Sequence, residues 1–541
     1  MASPVTRSAA QEAREMYELK KKAVQYYIEN GVPEKMEEIL NSTFYDNPND
    51  VYGHLANYFE NFQRMPIITK IVSREVLDGK GQPTIQTEVY CTVKNFEKLL
   101  VTSICSSKCS LPDSMKPEDK DLAEKDRQVD VTKSIELINS NFSQQLQYLD
   151  PTKQEQIDRI LIDAIIKMTQ DEEVRLTKEA EDRGKADETD AKSVSSPMPQ
   201  DSKSKAKSPK GKGKGPAVVV VPDEPHEKFV AGSATVCALS QAIAAAGAIV
   251  RGIELYKHIA SCRYEKIPKT FCLPLPMVTI LMSGKLAPGK LNCVKEYMII
   301  PKPGMPLREV VSRAVNDQGA LWTTFDRPEQ GLDLIQEAMT QLELTPGEHF
   351  HIALNCAGHE IFDYDKGKYE VLVGQQKGAE DLADFWSDIL DKYPSVIALI
   401  DPMRKEEKEA WMHLCEVLSE KCLVIGDEVH HRPGLLKDED LPNDFKTSEA
   451  DKQIIIGTSD GETTDSFAVD LAIGCGARFL KLGAPCRGER ISKLNHLLQI
   501  ESELETLGVL RTPAEHTFPI IKPPTPPPEE NEGGGNKPEE K

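Results

Sequence analysis

Seven short apolar runs, each ending in polar residues, recur over the second half of the chain: FCLPLPMVTILMSG, EYMIIPKPG, HFHIALNCAGHE, SVIALIDP, CLVIGDEVHH, QIIIGTSDGE and RFLKLGAP. Segments of helical period separate most of them. A strand that is apolar along its whole length must be covered on both faces. Strands alternating with helices achieve this as a parallel sheet under a layer of helices. Seven such units predict a (β/α) barrel, whose chemistry sits at the strand C-terminal ends, in the first polar residues of each loop.

The remainder divides by composition. Residues 1–65 predict a small helical unit. A first helix runs to about Asn30 and stops at Gly31; Pro33 opens a second, and Asn47 is expected to cap a third with Pro48 in its first turn. Val51, Leu55, Tyr58, Phe59 and Phe62 fall on one face of that third helix. So much apolar surface on so few residues must pack on the rest of the chain or on a second copy. Residues 66–170 mix strands and helices, with the turn DGKGQPT (Asp78–Thr84) joining a hairpin. Residues 171–228, rich in Ser, Pro, Lys and Gly, predict a disordered linker, and the lysine run Lys203–Lys214 reads as solvated or as an anion-binding stretch. Helical pattern returns over 229–264, the barrel pattern spans 265–511, and 512–541 predict a flexible Pro/Glu-rich tail.

Bulk properties restrict the possible partners. The net charge of −21 argues against nucleic-acid binding. An uninterrupted apolar run long enough to span a bilayer is missing, and MASPVTRSAAQEAREMYELKKK lacks a signal peptide's apolar centre. A cytosolic setting is expected. Twelve cysteines with no CxxC pair read as reduced thiols rather than a zinc or disulfide framework.

The words YYIENGVPEKMEEILNSTFYDNPNDVYGHLANYF resemble the dimerisation and docking helix pair of protein kinase A regulatory subunits and related ciliary proteins. That resemblance implies a helical dimer whose groove accepts an amphipathic anchor helix.

A second resemblance covers far more of the chain. DGKGQPT, ELYKHIA, KLNCVKEYMIIP, IALIDPM, LVIGDE, DGETTDSFAVDLAIG and LKLGAPCRGERISKLN resemble successive enolase words, in order. The implied fold is an α+β cap domain plus a (β/α)8-type barrel. The added N-terminal unit and the inserted linker resemble a divergent, sperm-associated branch of that family, which implies a place in the sperm flagellum. Enolases dehydrate 2-phosphoglycerate to phosphoenolpyruvate, using Mg²⁺ to neutralise the enolate and a lysine as base. They act as dimers, so a homodimer or a mixed enolase oligomer is implied.

Carried over residue by residue, the resemblance makes Asp427 a metal ligand. Asn355 falls where the family has a ligand aspartate and can lend only a neutral oxygen. Ile400 falls where the family has a ligand glutamate, and Asp401 beside it faces the other way in a regular strand. Glu296 matches a catalytic and substrate-contacting glutamate, and Lys481 a lysine that binds the substrate carboxylate. Gln318 stands for the second catalytic glutamate and Leu286 for a histidine. Lys437, in GLLKDED, is the candidate base. The Asp427 and Thr458 positions are only 31 residues apart, which predicts a barrel short of a βα unit. Gly457, Thr458, Ser459 and Asp460 replace the family's phosphate-gripping Ser-His-Arg-Ser run. Gly461, Glu462, Thr463 and Asp465 match the family and are expected to turn the chain and cap the next helix. Two functions follow: an enolase of reduced or lost activity, or a non-catalytic structural and docking protein.

Overall fold

The computed structural model describes residues 9–106, 117–191, 230–285, 287–305, 320–418, 421–430, 454–458 and 461–511. The chain separates into two compact units, Met1–Pro66 with Thr92–Phe96, and Ile67–Cys91 with Glu97–Lys541.

The first unit contains helices α1 (Ala9–Glu29), α2 (Val32–Asp46) and α3 (Val51–Glu60). Gly31, at φ 62°, turns the chain between α1 and α2 in a conformation that costs glycine little. Pro33 sits in the first turn of α2, where its missing N–H is no loss. The expected start of the third helix is corrected. Asn47 ends α2 instead, left-handed at φ 43°, its N–H donating to Thr43 O at 3.0 Å. Asp50 caps α3, its carboxylate accepting from Gly53 N at 2.9 Å. Asparagine suits both roles, and here its tolerance of left-handed backbone wins.

The second unit opens with the sheet β1 (Ile67–Leu77), β2 (Pro83–Val93) and β3 (Phe96–Ile104), in that order. The β1–β2 turn is organised by Asp78, whose Oδ1 accepts from the N–H groups of Lys80 and Gln82, both at 2.8 Å. Helices α4 (Pro117–Leu137) and α5 (Gln154–Ala191) follow. The linker expected from residue 171 therefore begins as helix, because α5 continues to Ala191; Lys203–Lys214 lies outside the described residues.

Helix α6 (Ala234–Arg251) is long and apolar enough to cross a membrane by those measures alone. It packs instead against α4, α5 and α7 (Leu255–Arg263), burying Ala238, Leu239, Ala242, Ile243 and Ala246. Its apolar character is that of a core helix.

All seven predicted runs form strands of one curled sheet: β4 (Leu275–Met282), β5 (Glu296–Pro301), β7 (Phe350–Asn355), β11 (Val396–Ile400), β12 (Leu423–Ile425), β13 (Ile455–Gly457) and β14 (Phe479–Gly483). Their order is β12-β11-β7-β5-β4-β14-β13, and the two-residue β6 (Leu321–Trp322) pairs with β4. Among the described residues β12 and β13 do not pair, so the sheet is a curled part-barrel. A small antiparallel sheet of β8 (Phe362–Asp363), β9 (Lys368–Leu372) and β10 (Gln375–Lys377) stands apart from it. The expectation of an all-parallel sheet is corrected at β5, which runs antiparallel to both β4 and β7. Parallel neighbours need a helical crossover, and the described residues of the 283–295 segment between β4 and β5 contain no helix, so the antiparallel pairing is that of a hairpin.

Helices α8 (Pro328–Gln341), α9 (Ala379–Lys392) and α10 (Lys408–Leu418) contribute to the largest apolar cluster, which includes Tyr297, Leu332, Trp386 and Trp411. Inside the curl, Met277, Met298, Ile300, Ala353, Ala398, Ile400 and Phe479 form a separate apolar filling. Helices α11 (Phe467–Gly474) and α12 (Gly488–Thr506) cover the other side of β14.

One polar tie joins those two helices. His496 Nε2 donates to Asp470 Oδ2 at 2.8 Å, and Asp470 is buried. Burial alone would lower the imidazolium, but the bond to Asp470, its charge, and Glu503 and Glu254 raise it. A raised histidine adds stability that is complete below its unfolded value near ~6.5 and is lost as pH rises through the folded value. His496→Ala is expected to cost about 2 kcal/mol at pH ~5.5. The gap from the parent chain should narrow as pH passes above the folded value. Chemical denaturation of both chains across that range checks it; a gap constant with pH would refute the charged pair.

Candidate functional site

The mouth of the curl collects four of the residues singled out in the sequence. Asn355 ends β7, and Asp427 opens a short helical turn, Asp427–His430, just after β12. Lys481 is the third residue of β14. Glu296 reaches the same end because β5 is reversed. As the first residue of an antiparallel strand it pairs with Asn355 at the end of β7 and with Met282 at the end of β4.

The four side chains are linked. Asn355 Nδ2 donates to Glu296 Oε2 at 2.7 Å. Lys481 Nζ donates to Asp427 Oδ2 at 3.0 Å and stands 3.8 Å from Glu296 Oε2. Burial by itself would lower the Lys481 ammonium, but Asp427 and then Glu296 outweigh it and hold it above the ordinary lysine range. The lysine is thus a fixed cation between two carboxylates.

Two further residues support the mouth. Thr279, buried on β4, donates from Oγ1 to Glu296 Oε1 at 3.2 Å. Asp401, left-handed at φ 45°, spends its carboxylate on the backbone of the helical turn. Its Oδ1 accepts from Asp427 N at 2.8 Å, and its oxygens accept from Glu428 N at 3.2 and 3.1 Å. Burial, followed by the Asp427 charge, raises its carboxyl well above the usual range. It positions Asp427 rather than replacing a ligand. The sequence named Asp401 only as a residue facing away from the ligand position, and it did not single out Thr279. Thr279 could have been, since it shares the inward face of β4 with Met277 by period two.

Mg²⁺ requires an octahedron of oxygens, mostly from carboxylates and water. The residues at this mouth do not fit it. Ile400 is 1 % exposed within the apolar filling of the curl. Asn355 turns its amide N–H₂, a donor, toward Glu296, and the Lys481 ammonium lies against both remaining carboxylates. Among the described residues no cluster of three His, Cys, Asp or Glu side chains could hold a metal ion. Lys437, Gln318, Leu286, Ser459 and Asp460 lie outside the described residues.

The loop after β13 performs a different task. Thr458 donates from both N and Oγ1 to Lys481 O at 3.0 Å, which seats it on β14. Asp465 stands just before Ser466, the N-cap of α11, its Oδ1 accepting from Phe467 N at 2.8 Å. Its Oδ2 accepts from Ser103 Oγ at 2.9 Å and Ile104 N at 3.0 Å, so the same carboxylate holds the end of β3. Glu462 O accepts from Gly79 N at 2.9 Å in the β1–β2 turn. A Cβ at Gly79 would stand 2.8 Å from that carbonyl, so only glycine allows the approach. Lys493, 1 % exposed on α12, donates to Thr463 O at 2.7 Å and pairs with Glu462 Oε2 at 2.9 Å. The loop clamps the cap sheet to the barrel.

Two family descriptions match the chain. "Enolase, N-terminal domain" matches residues 68–172, and "Enolase, C-terminal TIM barrel domain" matches residues 308–432 and 439–514. The chain belongs to the enolase family. Enolases generally act on 2-phosphoglycerate with Mg²⁺ and form dimers. Within the family it is similar to Enolase 4 of Xenopus laevis, 37% identical with 96% of this chain and 98% of that protein covered. It is also similar to Enolase 4 of Homo sapiens, 36% identical with 93% and 91% covered, and to Enolase 4 of Danio rerio, 34% identical with 93% and 95% covered.

Proposed function

We propose that this enolase-family chain has lost most or all Mg²⁺-dependent dehydration of 2-phosphoglycerate and serves as a structural and docking member of a larger assembly. The observation that carries this reading is the Lys481 ammonium 3.0 Å from Asp427 and 3.8 Å from Glu296. A side-chain cation pairs with Asp427, the one expected ligand carboxylate that remains, and stands against Glu296 beside it. Ile400 and the Asn355 amide support it. The alternative roles of Glu296 and Lys481 as substrate contacts, with Lys437 as base, belong to the active reading.

Phosphoenolpyruvate formation, followed while Mg²⁺ is titrated beside an ordinary enolase, tests it. A single missing stabiliser of developing charge costs ~10²–10³ in rate, so the loss of several should leave the chain at least ~10⁴-fold slower. Turnover within ~100-fold of the control, abolished by Lys481→Ala, would sink the proposal.

The docking half of the proposal rests on residues 1–65. Of the described α2 and α3 side chains only Ile39 is buried, while Leu40 is 56 %, Phe44 81 %, Tyr45 84 % and Tyr52 85 % exposed. Apolar surface of this extent marks an interaction site. A homodimer or a mixed enolase oligomer would cover it, with an amphipathic anchor helix as further occupant. Leu40→Glu with Phe44→Glu in the full chain should lower the mass of the assembly in sedimentation. An unchanged mass would remove this unit from the contact. A cytoplasmic setting in the sperm flagellum is part of the same reading, and immunolocalisation along the tail decides it.

A further inference from the structure

Helix α1 runs for 21 residues, Ala9–Glu29, and every described side chain of it, from Ala13 onward, is exposed. Helices in water draw most of their stability from packing an apolar face, and α1 buries no described side chain. Its sequence is nevertheless built to be covered. At 3.6 residues per turn, Tyr26, Leu19, Met16, Tyr27, Val24 and Ile28 fall within about 200° of the circumference. Among the described side chains Lys20 is the one charge inside that arc; Arg14, Glu15, Glu18, Lys21, Lys22 and Glu29 share the other side. A helix resting on one surface needs a stripe of only ~100°. The words that resemble a docking helix pair begin at Tyr26, so most of α1 lies outside that resemblance.

We infer that α1 lies antiparallel along α1 of a second copy of this chain. This rests on the self-associating role proposed above for residues 1–65, and adds to it the element and its direction. The area is sufficient. Tyr17, Tyr26 and Tyr27 are each half or more exposed, as are Met16, Leu19 and Ile28. An aromatic side chain buries about 150–250 Å², so these six offer on the order of 700 Å², close to the ~800 Å² that each partner gives to a stable interface. A partner helix covers about half of the wide arc, and the other half remains for α2, whose Phe44 and Tyr45 are exposed.

The charges set the direction. Glu15 and Glu18 precede Lys20, Lys21 and Lys22. A parallel pair would set these lysines level with their own copies, and like charges so placed repel. Antiparallel overlap of all 21 residues centres the pair on Leu19, level with the partner's Leu19. Glu18 then stands level with the partner's Lys20, and Glu15 comes within one residue of the partner's Lys22. Glu15 and Lys22 are seven residues apart, so they lie on the same edge of the apolar arc. Like edges meet in an antiparallel pair, which brings opposite charges together at both ends of a twofold contact.

The experiment uses the full chain. Leu19→Glu with Tyr27→Glu should weaken dimerisation in sedimentation by at least ~30-fold. Cysteine pairing reads the direction. Co-expressed Met16→Cys and Ala23→Cys chains, oxidised with copper phenanthroline and digested, should yield a disulfide between positions 16 and 23. Tyr26→Cys should not crosslink to its own copy, which an antiparallel pair holds about 20 Å away along the axis. Glu15→Lys and Lys22→Glu should each loosen the dimer ~2–5-fold, and the two together should restore it. The inference is overturned by an unchanged mass in the Leu19→Glu, Tyr27→Glu chain, by a crosslink between two Tyr26→Cys chains, or by a charge exchange that restores nothing. If that chain keeps its mass while Leu40→Glu with Phe44→Glu lowers it, self-association stands and α1 serves another segment or an anchor helix. If neither lowers it, both fail. Should the glutamates melt α1, the cysteine pairing decides.

Discussion

Ile400→Glu combined with Asn355→Asp is expected to make the folded chain depend on a divalent cation. Position 400 is 1 % exposed among Met277, Met298, Ile300 and Phe479. A carboxylate placed there without a partner costs about 3–5 kcal/mol. Aspartate at 355 exchanges a donor facing Glu296 for a second negative charge. Together with Asp427 the mouth then carries more acid than Lys481 can offset. Mg²⁺ at ~100 times its dissociation constant would return about 2.7 kcal/mol. Thermal unfolding with and without Mg²⁺ reads the result. The parent chain should not respond, and the variant should melt low without Mg²⁺ and recover with it. A parent chain whose midpoint climbs with Mg²⁺, or a variant indifferent to it, would defeat the argument that Lys481 supplies the balancing charge.

Lys493→Met should strongly destabilise the second unit. The side chain is 1 % exposed, and its ammonium reaches Thr463 O, Glu489 O and Glu462 Oε2 at 2.7, 3.3 and 2.9 Å. Glu462 is itself only 12 % exposed. Removing the cation facing a buried carboxylate costs about 3–5 kcal/mol. The loss falls on the contact between the 461–465 loop and α12, which also carries Gly79 and the cap sheet. Urea denaturation measures it. Adding Glu462→Gln should recover part of the loss, since a neutral amide has no charge to be left behind. A single variant within 1 kcal/mol of the parent would show that the clamp is not held by this ion pair.

Much of the architecture was legible before any coordinates. The seven runs from LPLPMVTILM to RFLKLG are strands because an apolar segment of that length must be covered on both faces. Gly31 and Pro33 mark a helix boundary through backbone restrictions that act locally. The direction of β5 was not legible, because periodicity says which faces are buried and nothing about which way a strand runs. Asn47 misled for a related reason: one residue type serves both ends of a helix, and only the dihedral angles distinguish them.

The site divides in the same way. Sequence alone determined which residues stand at the strand ends, and the resemblance to enolases implied that Ile400 and Asn355 fall where that family has ligand carboxylates. It also singled out Glu462, Thr463 and Asp465 as residues that turn and cap. Tertiary structure decided what those residues touch. It brought Lys481 between Asp427 and Glu296, 54 and 185 residues away along the chain. It spent Asp401 on two backbone amides, and it gave the 461–465 loop its hold on Gly79 and β3. Burial and charge pairing depend on distances between residues far apart in the chain. Neither composition nor period encodes them; the curl of the sheet and the reversal of one strand set them.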